Sequence, residues 1–260
     1  MAHQEKKRLK IGVLISGSGS NLQAIIDACE SGLIDGEVVF VGSDVPDVKG
    51  LARAKKHHIP TFAVNYKEFM RAARSFDPAE KVLTESDSDF MKKSLHIVPR
   101  SITSDEDKIA WLYRRMAFEM ILLEHMEQFD FDLLVLAGFM RNLTAFFIDQ
   151  INTDPAKPLI MNIHPALLPS FPGTNGYEDT FNYGCKVGGS TVHFVDYGED
   201  TGPIIGQITV PILPGDTLDN FKEKGLKQEW ILYPQCIQLF AEGSLKVVTA
   251  DNGRKKVQIG

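Results

Sequence analysis

The sequence predicts an α/β protein built on a doubly wound, mostly parallel sheet with less regular β structure near its end. Three observations predict it. A short apolar strand, Lys10–Ile15, passes through the glycine-serine turn Ser16–Asn21 into a helically spaced segment, Leu22–Cys29, which is how a βαβ unit opens. The run Leu133–Ala137 (LLVLA) is apolar without alternation, as suits a parallel strand covered on both faces. Strand-like and helix-like segments then alternate along most of the chain.

Taken in order, the first helix can be capped by Ser20 or Asn21. Val38–Val41 reads as the second strand, a helix is expected around Gly50–His58, and Thr61–Val64 forms a third short strand. From Phe76 to Asp107 no period persists. Mixed charge, serines and two prolines mark that stretch as a long surface insertion. Helical spacing resumes over Lys108–Gln128, and Leu159–Ile163 is a strand stopped by Pro165. Strands Thr191–Val195 and Ile204–Val210 and a long amphipathic helix within Leu218–Glu242 complete the reading. The expected organisation is a single domain over 1–260. An N-terminal half, 9–135, carries the glycine turn and the insertion at 76–107, and a C-terminal half, 136–260, carries the later motifs.

Composition excludes several classes. With 28 basic against 34 acidic residues the chain carries a formal charge of −6 and shows no basic stripe, which argues against nucleic acid as partner. No apolar run approaches the roughly 20 residues of a membrane span. The N-terminal IGVLI is only about half the length of a signal-peptide core. A cytoplasmic protein, monomer or homodimer, without membrane attachment is expected. Cys29, Cys185 and Cys236 are odd in number and far apart, which fits reduced thiols better than a disulfide framework or a metal site.

Three loops can carry chemistry. The turn Ser16-Gly17-Ser18-Gly19-Ser20-Asn21 leaves backbone N–H groups at a helix N-terminus, where they and the helix dipole favour an anion such as phosphate. The alternative is a tight turn with no ligand. Leu22 stands where a dinucleotide fingerprint has its third glycine, yet Asp44 after the second strand keeps a nicotinamide enzyme as a rival. In Asn162-Ile163-His164-Pro165, alternate residues share one face at a strand's carboxyl end. A histidine there can titrate near neutrality, and an amide can donate to a developing oxyanion; a purely structural histidine is the other reading. The loop Gly198-Glu199-Asp200-Thr201-Gly202-Pro203 holds a carboxylate that can orient an imidazole or simply be a solvated acidic turn. His193, on the strand before it, reads equally well as a core residue.

Together the blocks IGVLISGSGSNLQAIIDA, DLLVLAGFMRNL, MNIHPALLPSFPG and GGSTVHFVDYGEDTGPIIGQ, with QEWILYP more weakly, resemble the phosphoribosylglycinamide formyltransferase family, folate-dependent transformylases of purine synthesis. They come in the family's order and cover most of the chain outside the insertion. The resemblance implies the formyltransferase fold with a Rossmann-like N-terminal half. It implies 10-formyltetrahydrofolate as formyl donor, glycinamide ribonucleotide as acceptor, and no metal. It assigns Asn162, His164 and Asp200 to catalysis, with Asn162 and Asp200 also touching the folate. Gly19, Ser20, Asn21 and Glu229 fall to the ribonucleotide, and Arg115, Met140, Arg141, Asn142, Leu143 and Asp196 to the folate.

The chain departs from the family where TNGYEDTFNYGCKVGG follows the PG turn in place of a segment often carrying another histidine, and Leu226 stands where a polar contact is expected. Formyltetrahydrofolate deformylase, a hydrolase, and other folate-dependent formyltransferases are therefore the alternatives. The deformylase is expected to carry a further N-terminal regulatory domain.

Overall fold

A computed structural model describes residues 7–73 and 85–260. Seven strands form one sheet in the order β3-β2-β1-β4-β5-β6-β7: β1 Leu9–Ile15, β2 Gly36–Ser43, β3 Thr61–Ala63, β4 Leu133–Leu136, β5 Ile160–His164, β6 Val187–Phe194 and β7 Ile204–Pro211. The first five are mutually parallel, and β6 and β7 continue the sheet antiparallel.

The centre of the sheet is buried on both faces because β1 and β4 are apolar on both faces. Val13 and Ile15 of β1 and Val135 of β4 pack on one side with Leu22 and Ile25 of helix α1 (Ser20–Glu30) and Tyr233 of the long C-terminal helix. Leu14, Leu134 and Leu136 point the opposite way, against Phe118 and Leu122 of a second long helix and Phe147. That two-residue period places two cores around one sheet.

The flanking helices follow in chain order. Helix α2 is Lys49–Lys56 and α3 is Tyr66–Ala72. Helix α4 is Glu85–Ser94, and α5 is Asp105–Met126, with Ser104 as its N-cap and acidic residues at 105–107 in its first turn, where the helix dipole favours them. Helix α6 is Ala145–Ile151, α7 is Gly176–Asn182, and α8 is Leu218–Ala241, opened by a Thr217–Asn220 capping box.

Several boundaries differ from the sequence reading. The cap of α1 is neither Ser20 nor Asn21: both are already helical, and the cap is Gly19, with φ of 69° and no side chain capping the end. Of the expected insertion at 76–107, residues 76–84 lie outside the described residues. The remainder holds α4, a 3-10 turn at Leu95–Ile97 and the start of α5, with Phe90 edge-on to Phe146 of α6. A polar amphipathic helix with no strong apolar stripe left this packing unannounced in the sequence. The chain ends in a separate hairpin, β8 Leu245–Thr249 and β9 Lys255–Ile259. No helix among the described residues is long and apolar enough to cross a membrane.

Candidate functional site

The order of the sheet reverses at β1. The chain runs outward from β1 through β2 to β3, then returns to pair β4 on the other side. Loops leaving the carboxyl ends of β1 and β4 therefore diverge and leave a crevice, where open α/β sheets bind ligands. A cleft of about 390 Å³ lies there. Its walls come from the loop 16–21 after β1, the segment 137–142 after β4, the end of β5, and the loops carrying Gly173 and Asp200.

On one wall, Gly19 turns the chain into α1 with a left-handed backbone. A Cβ there would come within 2.6 Å of the Gly50 backbone, and Gly50 N–H donates to the Gly17 carbonyl at 3.0 Å. The first N–H groups of α1 have no partner within the helix and receive no side-chain cap, so the helix start is open to an anion. Among the described residues no lysine or arginine lines the cleft; Arg53 stands behind the loop, donating from Nε to the Ser18 carbonyl.

Below this wall is a buried network that the sequence does not announce. The Asn21 amide donates to Oε2 of Glu229 at 2.7 Å, and the Tyr177 hydroxyl donates to Oε1, which also lies 3.4 Å from the Ser190 hydroxyl. Burial pushes the Glu229 carboxyl upward against these three donors, and burial together with the Glu229 charge raises the Tyr177 phenol. Asn21 and Glu229, assigned to the same ligand by the resemblance, are thus directly bonded. Tyr177 is the residue sequence reading missed: it sits in the TNGYEDTF departure, and only the packing of α7 against α8 brings it to Glu229. Leu226 lines the cleft beside them.

On the opposite wall, Asn162, His164 and Asp200 converge. Nδ1 of His164 lies 3.2 Å from Oδ2 of Asp200, and Nε2 lies 2.8 Å from the Phe171 carbonyl oxygen. The Asp200 carboxylate also accepts from Gly173 N–H at 2.7 Å. Asp200 and Phe171 both have positive φ, 54° and 53°. Side chains rarely adopt that conformation, and the loops hold it at the two contacts of one ring. His193, ambiguous in sequence, is buried between the other two: Nδ1 donates to the Phe194 carbonyl at 2.8 Å, leaving Nε2 to accept from the Asn162 amide at 3.3 Å, 3.6 Å from Asp200 Oδ1.

Burial lowers the His164 pKa below the ordinary histidine value, opposed by the Asp200 charge and the Phe171 carbonyl. Burial works against ionising Asp200, but the adjacent His193 ring, the charge of His164 and the Gly173 N–H outweigh it, and its pKa lies below the usual carboxylate value. These are groups poised for proton transfer. By contrast, burial pushes the thiols of Cys29 and Cys236 up to about 12, which leaves them inert as nucleophiles.

The residues that the resemblance gives to the folate divide. Met140 and Asn142 line the cleft; Arg141, Asn142 and Leu143 line a smaller adjoining hollow of about 60 Å³ with His193 and Val195. Arg141 is paired with Asp44 at 2.7 Å and stacked on Tyr66. With Oδ2 held by Arg141 and the side chain fully buried, Asp44 is not presented to a ribose, so the nicotinamide alternative loses its acid. Arg115 does not reach the cleft: it is buried, donating from Nη2 to the Asn142 carbonyl at 2.7 Å. Asp196 lines neither cavity; it ties its own turn, accepting from Gly198 N–H and the Thr201 hydroxyl.

The formyl transferase family profile matches residues 9–237. The chain is 34% identical over 239 residues to phosphoribosylglycinamide formyltransferase of Escherichia coli (strain K12), covering 92% of this chain and 90% of that protein. It is 34% identical over 251 residues to the trifunctional purine biosynthetic protein adenosine-3 of Bos taurus, where it spans 96% of its own length but only 20% of the relative. Among solved structures, glycinamide ribonucleotide transformylase 1 from Symbiobacterium toebii superposes with a TM-score of 0.70 at 36% identity, over 97% of this chain and 94% of that one.

Proposed function

Given that the chain belongs to the formyl transferase family, we propose that it transfers the formyl group of 10-formyltetrahydrofolate to the primary amine of 5′-phosphoribosylglycinamide in purine synthesis. The observation that carries this reading is the convergence of Asn162, His164 and Asp200 on one wall of a cleft whose other wall is an uncapped helix N-terminus.

The residues divide the work. The start of α1 takes the phosphate, and Glu229 with Asn21 faces the ribose, so the amine is directed toward the far wall. Binding energy from these remote groups serves orientation at the reacting atoms. As the neutral amine adds to the formyl carbon, a C–N bond forms and the carbonyl oxygen gains charge. Asn162, one amide hydrogen fixed on His193, presents the other to that oxygen, and the His164 ring donates Nε2–H once it turns from the Phe171 carbonyl. Such donors are each worth about 3 kcal/mol in the transition state. Asp200 holds the ring charged and in register while a proton passes from the attacking nitrogen to the departing folate nitrogen. Met140, Asn142 and Leu143 form the folate side of the cleft. The enzyme works in the cytoplasm.

The deciding experiment measures consumption of 10-formyltetrahydrofolate with and without the ribonucleotide. Consumption that depends on the acceptor, with formylated product, is expected. Formate release in its absence would assign the chain to the deformylases instead.

A further inference from the structure

The segment 142–145, on the folate side of the cleft, is gripped from behind by three side chains that line neither the cleft nor the adjoining hollow. Arg115 Nη2 donates to the Asn142 carbonyl at 2.7 Å. Glu119, four residues on along α5 and fully buried, accepts the Thr144 N–H on Oε1 at 3.0 Å and the Thr144 hydroxyl on Oε2. Ser94, at the end of α4, accepts the Ala145 N–H on its hydroxyl at 3.0 Å and is likewise fully buried. The two α5 side chains are themselves paired, Arg115 Nε lying 3.4 Å from Glu119 Oε1, with the guanidinium over the Tyr66 and Phe118 rings.

A buried ion pair is seldom a net source of stability, because the loss of hydration offsets the attraction. What this pair accomplishes is geometric. Its two ends hold a carbonyl and an N–H two residues apart in one loop, and buried backbone groups left without such partners are costly. The loop so held is a functional one. Asn142 lines the cleft, and its side-chain amide donates to Glu199 Oε1 at 3.1 Å, next to Asp200. Leu143 lines the adjoining hollow.

We propose that Glu119, with Arg115 and Ser94, is a positioning set that fixes the 142–145 loop and thereby the folate side of the site. The inference rests on the formyl-folate reading of the cleft. It gives Arg115 a part exerted through the Asn142 backbone. It also gives the end of α4 a purpose, since Ser94 closes the same loop from a second helix. The phosphate wall shares no hydrogen bond with this set, so the two substrates should respond differently when it is disturbed.

The test measures KM for each substrate, with kcat, in Glu119→Ala, Glu119→Gln and Ser94→Ala. Glu119→Ala should raise KM for 10-formyltetrahydrofolate at least fivefold and leave KM for the ribonucleotide within twofold. Glu119→Gln keeps an oxygen for the Thr144 N–H and should recover most of that loss. If Glu119→Ala does not fold, Ser94→Ala decides, with an expected folate KM at least twofold above wild type. Folded variants with unchanged folate KM, or with both KM values rising together, would overturn the proposal. A wild-type protein showing no acceptor-dependent transfer would overturn the reading beneath it, so the two failures are distinct.

Discussion

His164 and Asp200 face each other at 3.2 Å, and the second nitrogen of the same ring faces the Phe171 carbonyl at 2.8 Å. Both neighbours only accept hydrogen bonds. A neutral ring has one N–H and must leave one of these contacts without a hydrogen; the imidazolium satisfies both. Burial and hydrogen bonding therefore pull the ring in opposite directions, the condition in which a modest change in surroundings moves a proton.

His164→Ala should lower kcat at least a hundredfold, the lower range for losing a positioned acid or base, with KM for the ribonucleotide within about threefold. Steady-state kinetics in both substrates checks this. A variant keeping more than about a tenth of wild-type kcat removes His164 from the chemistry.

Asp200 has a depressed folded-state pKa. Its contribution to stability is therefore present above the unfolded value of about 3.9 and lost as pH falls through the folded value. Asp200→Asn should flatten the acid limb of the urea-midpoint profile and reduce kcat at neutral pH at least tenfold.

Glu119 runs the other way. Burial raises its carboxyl to about 7, against the Arg115 charge and the two Thr144 donors. A raised folded pKa gives stability that is present below the unfolded value of about 4.3 and lost as pH rises through about 7. Over that window the cost amounts to roughly 4 kcal/mol. Glu119→Gln should abolish this slope in denaturant melts between those limits, and an unchanged slope would assign it to another group.

Gly19→Ala meets two obstacles: a left-handed backbone, costing a side chain about 1–2 kcal/mol, and a Cβ 2.6 Å from Gly50. The loop must shift, so the melting temperature should fall and KM for the ribonucleotide should rise at least fivefold. An unchanged KM would reassign the loop to structure.

Tyr177→Phe leaves Glu229 Oε1 with only the longer contact to Ser190. Losing that donor to a buried carboxylate should cost about 1–3 kcal/mol. Ribonucleotide KM should rise as well, with folate KM unchanged, read by thermal melts and two-substrate kinetics. Equal rises in both would place Tyr177 outside the ribose side.

The sequence by itself determined what depends on near neighbours. The strand LLVLA, the turn SGSGSN and the pairing of Asn162 and His164 on one face follow from side-chain alternation and from glycine's backbone freedom, and every parallel strand was visible within a residue or two. Only the tertiary structure decided what depends on strand order and on helices meeting across the sheet. It closed Asp44 onto Arg141, joined Tyr177 and Asn21 to Glu229, wedged His193 between Asn162 and Asp200, and turned Arg115 away from the cleft. Apart from His193 and Asp200, those partners lie between 27 and 208 residues apart — Asn21 and Glu229 are the extreme — and periodicity carries no information over such spans. Their meeting is fixed by which strands pair and by how two buried faces pack.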